Sequence, residues 1–244
     1  MIEVKDLVKH YGDVQAVRGV TFSVNRGELF CFLGPNGAGK TTTIKMMCGL
    51  LRPTSGSIHI GGHDMSTDSR EVRKITGYIP DMPFMYDLLT VKEFLDFTGE
   101  LYELEPKRLA QERDRLIELF GLLGHRQSLV KDLSHGLRQR LVYASTLLQD
   151  PQVMFVDEPF VGLDPSSIRL IKDLMREKTQ QGTTIFLTTH ILALAESMAD
   201  RIGIISEGKI VAAGNVSDIV SDPARQGSLE DVFLTLTEPP GHSA

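Results

Sequence analysis

The most constraining feature of the sequence is a glycine-rich octapeptide that directly follows a short apolar run. Residues 29–33, LFCFL, are apolar at every position, which is typical of a strand covered on both faces of a sheet. Residues 34–41, GPNGAGKT, fit the pattern G-x-x-x-x-G-K-[ST], and a helical stretch follows to about Leu51. A strand, a glycine-rich loop and a helix in this order predict an α/β fold with a phosphate-binding loop.

The residue types of this phosphate loop, residues 34–41, suit a nucleotide bound with Mg²⁺. Glycines let the backbone approach phosphates closely, and the next helix adds the positive end of its dipole. Lys40 supplies a point charge for the outer phosphates, and Thr41 offers a hydroxyl to Mg²⁺. A chance match is the alternative, and the flanking strand and helix argue against it. The predicted nucleotide contacts are Gly34, Pro35, Asn36, Gly37, Ala38, Gly39, Lys40, Thr41 and Thr42.

A second apolar run, residues 153–156, ends in two adjacent acids, Asp157 and Glu158. Neighbouring side chains on a strand point to opposite faces, so the two carboxylates can take separate roles. We expect Asp157 to hold Mg²⁺ through its hydration shell and Glu158 to orient the water that attacks the terminal phosphate. Solvated acids at a strand end are the alternative, which the phosphate loop disfavours.

The hydrophobic period divides the chain into three parts. The first 33 residues alternate apolar and polar positions, which predicts several strands. From about residue 90 to 149 the period is helical, and the capping-box spacing of Thr90 and Glu93 sets the start of the first helix. These patterns predict an α/β core with an inserted helical subdomain. The later strands are expected at 56–60, 75–79, 153–157, 183–188, 201–206 and 209–213, and the helices after the first at 106–123 and 135–149.

Composition excludes several classes of protein. The chain has 244 residues with 26 basic and 32 acidic side chains, a net charge of −6, which argues against a nucleic-acid partner. No apolar run exceeds five residues, too short for a membrane-spanning helix, and the first residues lack the apolar stretch of a signal peptide. The only cysteines, Cys31 and Cys48, are expected to be reduced thiols.

Residues 133–140, LSHGLRQR, predict a second anion site at a helix start. Ser134 suits an N-cap, and a serine with Gly136 at an open helix end can bind an anion; a purely structural cap is the alternative. With the two earlier motifs, this segment resembles the signature of the ATP-binding subunit of an ATP-binding cassette (ABC) transporter. The likeness runs from about residue 2 to 237. The usual signature is LSGGQ, so His135 replaces a glycine and Leu137 a glutamine.

The resemblance implies a P-loop NTPase core with a mixed, mainly parallel sheet, an N-terminal antiparallel β subdomain and an inserted α-helical subdomain. It implies one nucleotide-binding domain: residues 1–80 and 150–220 as the core, 81–149 as the helical subdomain, and 221–244 as a C-terminal helix and tail. It further implies an ATPase that closes around two ATP·Mg²⁺ with a second copy or a homologous subunit. Ser134 and Gly136 of one subunit then face the nucleotide of the other.

The same resemblance implies an integral membrane permease as partner, at the cytoplasmic face of the cell membrane. Residues 82–86, MPFMY, correspond to the groove that receives a short helix of that permease; ordinary packing of this loop is the alternative. Residues 228–237 resemble the ends of bacterial and archaeal export-type subunits, and residues 238–244 are expected to fray.

Four further positions take roles from the resemblance. Tyr11 matches the aromatic residue that stacks on adenine, and His190 matches the switch histidine that contacts the γ-phosphate. Residues 161–164, VGLD, match the D-loop, where Asp164 before a proline is also an ordinary helix cap. Asp81 stands where the family generally has a glutamine that reaches Mg²⁺; aspartate is shorter and charged, which leaves its metal contact open.

Two other functions fit the motifs. A soluble cassette ATPase of DNA repair or translation shares the phosphate loop, but such proteins carry long coiled-coil insertions or two cassettes. A regulatory nucleotide-binding module with little turnover is compatible with Asp81 and the altered signature. The rate of ATP turnover by the purified chain separates this module from a motor.

Overall fold

The computed structural model describes residues 1–221 and 228–237 and has two sheets. The first sheet is antiparallel, in the order β2-β1-β4-β5. The second has the order β10-β9-β3-β8-β7-β6 and is parallel except for β10. The α/β class with a mainly parallel sheet and an antiparallel β subdomain is confirmed. The strands are β1 (Ile2–Tyr11), β2 (Val14–Val24), β3 (Leu29–Leu33), β4 (Ser55–Ile60), β5 (His63–Asp64), β6 (Thr76–Ile79), β7 (Val153–Asp157), β8 (Thr184–Thr189), β9 (Arg201–Ser206) and β10 (Lys209–Gly214).

The helices lie mainly between these strands, with three in succession between β6 and β7. Thr90 and Glu93 form the predicted reciprocal capping box at the start of that succession. Asp164 caps a later helix through the amides of Ser166 and Ser167. The helices are α1 (Lys40–Met47), α2 (Ser69–Ile75), α3 (Val91–Leu101), α4 (Pro106–Leu119), α5 (His135–Leu147), α6 (Pro165–Gln180), α7 (Leu192–Met198), α8 (Val216–Val220) and α9 (Leu229–Thr237), with 3₁₀ turns at Leu123–His125 and Val130–Asp132.

Several predicted boundaries were wrong. The helix after the phosphate loop ends at Met47, not near Leu51, because the amides of Leu50 and Leu51 turn back to Lys45 O. The helix predicted over 106–123 ends at Leu119, and the one over 135–149 ends at Leu147. The strand predicted from Ile75 begins one residue later, because that residue ends α2, a short helix that the sequence analysis missed.

Two apolar clusters cover opposite faces of β3. Leu29, Cys31 and Leu33 belong to the cluster that includes the helices of the 91–147 segment, whereas Phe30 and Phe32 belong to the cluster shared with α1 and the antiparallel sheet. The prediction of a strand buried on both faces is therefore confirmed. Both cysteines are buried free thiols.

No helix within residues 1–221 and 228–237 is long and apolar enough to cross a membrane. The prediction of fraying at 238–244 falls outside the described residues. The division of the chain into the subdomains given above stays a prediction.

Candidate nucleotide site

The sheet order brings three predicted site segments to one edge. The phosphate loop follows β3, His190 follows β8, and Glu158 follows β7. These strands are parallel neighbours in the order β3-β8-β7, so their carboxyl ends lie side by side. Ligands of open parallel sheets bind at this edge.

The phosphate loop is held against β2 and the β9–β10 turn. Gly39 precedes α1 with φ = 108°, and a Cβ there would lie 2.6 Å from Ala16 O of β2. Both the left-handed conformation and the close backbone therefore require glycine. Gly208 N donates to Ala38 O at 3.0 Å. The loop leads into α1, whose first amides have no acceptor within the helix and are available to an anion.

Lys40 is 6% exposed and lies inside this loop. Its Nζ donates to Gly34 O at 2.7 Å and to Pro35 O at 3.2 Å. The same Nζ is 3.5 Å from Glu158 Oε1. The other carboxylate oxygen, Oε2, is 3.0 Å from His190 Nδ1. The three residues predicted to be catalytic therefore form one chain of contacts.

Glu158 has an unusual backbone. Its φ is 47°, in the left-handed region that non-glycine residues rarely adopt. Its amide donates to Thr188 O at 3.1 Å, which anchors the residue to β8. The side chain is 13% exposed and turns toward the phosphate loop. Such backbone strain is common at functional sites.

Asp157 lies beneath the loop and is 1% exposed. Thr41 Oγ1 is 3.4 Å from Asp157 Oδ1, and the Thr188 hydroxyl donates to the same oxygen. Burial raises the pKa of the Asp157 carboxyl, the bonds from Thr188 and Thr41 oppose that shift, and the charges of Glu158 and Asp81 add to it. The sequence analysis missed Thr188; its signal is a pair of threonines that follows the apolar run 185–187 at the end of β8.

The residues present fit Mg²⁺. A carboxylate and a hydroxyl are oxygen ligands of the kind Mg²⁺ prefers, and this ion usually takes one or two carboxylates with substrate phosphates and water. Among the described residues, no three His, Cys, Asp or Glu side chains gather as a metal-binding group. Thr41 would thus hold the ion directly and Asp157 through its hydration shell, with phosphates and water completing the shell; these metal roles stay predictions.

Asp81 is exposed after β6 at the sheet edge. Its charge contributes to the raised pKa of Asp157, so it lies within electrostatic reach of that carboxyl. Its side chain makes no hydrogen bond or ion pair with another described residue. The predicted role of Asp81 at the metal stays a prediction.

Tyr11 is half exposed at the end of β1. Lys9 Nζ lies 5.3 Å from its ring centroid. The hairpin that carries Tyr11 continues into β2, whose Ala16 O touches the phosphate loop at Gly39. The ring is thus exposed on the hairpin that reaches the loop, and its contact with adenine stays a prediction.

Ser134 and Gly136 lie at the start of α5. Among the described residues, neither makes a contact with Lys40 or Thr41. Leu137 N donates to Ser134 Oγ over 3.4 Å, which confirms the predicted cap. Gly136 faces the turn of residues 161–164: a Cβ at position 136 would lie 3.5 Å from Asp164 Oδ1. Hydrogen bonds from the hydroxyls of Ser166 and Ser167 hold the pKa of Asp164 well below its usual range.

In the segment 82–86 some side chains are exposed, as a docking surface requires, and others are packed, as in an ordinary loop. Met82 and Phe84 are 87% and 85% exposed, whereas Met85 is buried in the core cluster. Tyr86 packs edge-on against Phe97 of α3 at 5.1 Å between ring centroids. Exposed Met and aromatic side chains form an adaptable apolar surface.

Several known proteins are similar to this chain in sequence and in fold. The sequence profile of the ABC transporter family matches residues 17–161. The probable multidrug ABC transporter ATP-binding protein YbhF of Escherichia coli is 38% identical over 240 residues, 97% of this chain and 41% of that protein. The linearmycin resistance ATP-binding protein LnrL of Bacillus subtilis is 34% identical over 237 residues, 97% of this chain and 75% of that protein. This chain thus spans less than half of the first relative.

A solved structure of an ATP-binding subunit of an ABC transporter superposes with a TM-score of 0.91 at 35% sequence identity. The match covers 98% of this chain and 100% of that one. Sequence and fold agree over almost the whole chain, and the phosphate loop, the acid pair and His190 lie at one sheet edge. The chain belongs to the ABC transporter family, as one of its ATP-binding domains.

Proposed function

We propose that this chain is the ATP-hydrolysing motor subunit of an ABC transporter. Two subunits close around two ATP·Mg²⁺ and drive a separate membrane-spanning subunit. The observation that carries the proposal is the chain of contacts from Lys40 through Glu158 to His190, beside the pair of Asp157 and Thr41. The positive charge that would bind phosphates, the proposed base and the proposed metal-ligand pair thus lie together at the carboxyl edge of the parallel sheet, where such sheets bind ligands.

In this mechanism Lys40 leaves Gly34 O and Pro35 O and binds the outer phosphates. Glu158 accepts a proton from the attacking water, whose oxygen bonds to the γ-phosphorus while the bond to the β–γ bridging oxygen breaks. ADP and inorganic phosphate are the products. His190 holds the Glu158 carboxylate through Nδ1 and contacts the γ-phosphate through the other side of the ring.

Thr41 and Asp157 would hold Mg²⁺, with Asp81 near it. When bound, the ion neutralises charge on the phosphate oxygens. The Thr188 hydroxyl fixes the orientation of the Asp157 carboxylate. These residues position the substrate, and positioning with charge stabilisation supplies most of the catalysis of phosphoryl transfer.

The dimer is part of the proposal because each chain holds half of the expected site. Ser134 caps α5, and Gly136 lies beside Asp164 and Ser167 of its own chain; neither residue contacts the phosphate loop of that chain among the described contacts. A head-to-tail partner brings its own signature tip to that loop, and two equal sites follow from a symmetric pair. Closure moves the helical subdomain, residues 81–149, relative to the core.

The membrane partner is supported by the exposed apolar side chains of Met82 and Phe84. Relatives named for multidrug transport and linearmycin resistance favour an export-type system. The chain then acts at the cytoplasmic face of the cell membrane. The excess of acidic over basic residues argues against nucleic acid as its partner.

Phosphate release by the purified chain tests the enzyme. We expect Mg²⁺-dependent ATP hydrolysis that falls by about 10²- to 10⁴-fold in Glu158→Gln, the usual contribution of a general base. Negligible turnover by the wild-type chain, with ATP bound, favours the regulatory module instead. Affinity purification from native membranes tests the partner: an integral membrane protein should accompany the wild type and be lost from a Met82→Ser/Phe84→Ser variant that still hydrolyses ATP.

A further inference from the structure

The start of α5 is tied to residues 161–167 within one chain. His135 Nε2 donates a hydrogen bond to Val161 O at 3.3 Å. Farther along α5, the Arg140 guanidinium donates to Ser167 Oγ at 3.1 and 2.9 Å. Gly136 lies between these contacts, beside Asp164 and Ser167. The tie thus joins two segments that are distant in sequence.

The backbone at residue 162 fits the imidazole ring. Gly162 has φ = 72°, and a Cβ there would lie 3.3 Å from His135 Nε2 and 3.4 Å from its Cδ2. A side chain at 162 would crowd the ring and strain the turn. A glycine at 135, the usual residue of the family signature, has no side-chain group that can donate to Val161 O.

The two tied segments lead to different parts of the proposed site. Ser134, beside His135, caps α5 and belongs to the tip that is proposed to meet the partner's nucleotide. Val161 follows Glu158 by three residues, so the turn of residues 161–164 continues directly from the proposed base. In this turn the side chain of Val161 is half exposed, and the capping Asp164 lies beside Gly136 of the α5 tip.

We propose that His135 is a positioning residue for dimer closure. Its Nε2–H holds the 161–164 turn against the start of α5, so that both segments meet the partner subunit as one unit. This inference rests on the proposed function, because only a closed dimer uses both segments at once. The bond involves no residue of the phosphate loop, so it affects closure and leaves the first binding of nucleotide unchanged.

The tie itself is measured in the ATP-free chain by hydrogen–deuterium exchange of the Leu163 amide, which donates to Phe160 O at 3.4 Å within the held turn. His135→Gly and His135→Leu remove the donor and should speed exchange there by about two- to tenfold, the range for one hydrogen bond of ordinary net strength. His135→Gln keeps an N–H donor and should keep the exchange rate of the wild type. His125→Leu, which changes a histidine without a side-chain hydrogen bond to a described residue, is the control.

Closure is measured as the ATP-dependent dimer dissociation constant in a Glu158→Gln background. We expect the Gly and Leu variants to weaken the dimer by about two- to tenfold while the Gln variant and the affinity for ADP stay unchanged. Unchanged exchange in the Gly variant, or a Gln variant as weak as Leu, overturns the role of His135. If the Glu158→Gln parent does not dimerise while the Gly and Leu variants exchange faster as expected, the proposed motor is contradicted. The role of His135 in closure is then lost with it.

Discussion

Lys40 Nζ lies 3.5 Å from Glu158 Oε1, so the residue that would bind phosphates is paired with the proposed base before nucleotide arrives. Both side chains are largely buried. The lysine must leave this carboxylate to reach a phosphate. The pair therefore competes with the nucleotide for Lys40.

Removing the competing charge should tighten nucleotide binding. We expect Glu158→Gln to lower the dissociation constant of ADP by about two- to tenfold, because a neutral amide holds the lysine less firmly. ADP is the probe because it involves neither hydrolysis nor a closed ATP dimer. Glu177→Gln, an equal change of charge on α6, is the matched control. ADP affinity that is equal or weaker in Glu158→Gln argues against the competition.

The raised pKa of Asp157 makes a prediction about stability. An acid whose pKa is higher in the folded chain than in the unfolded chain loses folding free energy as pH rises through that interval. Asp157→Asn should therefore raise the unfolding temperature of the metal-free chain near neutral pH, by about 2–4 °C if the gain is about 1 kcal/mol. Calorimetric unfolding at acidic and neutral pH measures it. The gain should shrink at acidic pH, where the wild-type carboxyl is protonated.

The same variant should lose most Mg²⁺-dependent hydrolysis, because an amide is a weaker ligand than a carboxylate. A stable chain without turnover is the expected result. A destabilised Asp157→Asn with full activity contradicts both the electrostatic and the metal assignments.

Asp81 adds a negative charge near Asp157 and near the proposed site of the phosphates. Asp81→Gln removes that charge and restores the longer neutral side chain of the resembled family. We expect steady-state hydrolysis to stay the same or to rise a few-fold. Asp81→Asn, which removes the charge without added length, separates the two effects. A collapse of activity in both variants would show that the aspartate has a specific task.

The exposed ring of Tyr11 should stack on the base of the nucleotide. Tyr11→Ala should weaken ATP binding by about two- to tenfold, whereas Tyr11→Phe should keep it. Triphosphate without a base should bind both variants equally. Isothermal titration with both ligands checks this, and an equal loss for triphosphate would place the effect elsewhere.

The sequence predicts most of the core because local patterns and the fold agree there. The apolar run of β3, the acid pair after β7 and the capping box of α3 were each recognisable from a few neighbouring residues. The contacts of Thr188 with Asp157, and of His135 with Val161, were not predictable, because they join residues 31 and 26 positions apart. The predicted helix ends were wrong for a different reason: hydrogen bonds of the backbone turns beyond Met47 and Leu119 decide them, and the periodicity of apolar residues does not show these turns.

The central claim is that the phosphate loop captures ATP through Lys40. Calorimetric titration of ATP into the folded chain with Mg²⁺ present tests it, with Lys40→Ala as the comparison. We predict clear binding heat for the wild type and at least a tenfold weaker affinity for the variant, the loss expected for a charged hydrogen bond. No heat with the wild type, or equal affinity in Lys40→Ala, would contradict the account.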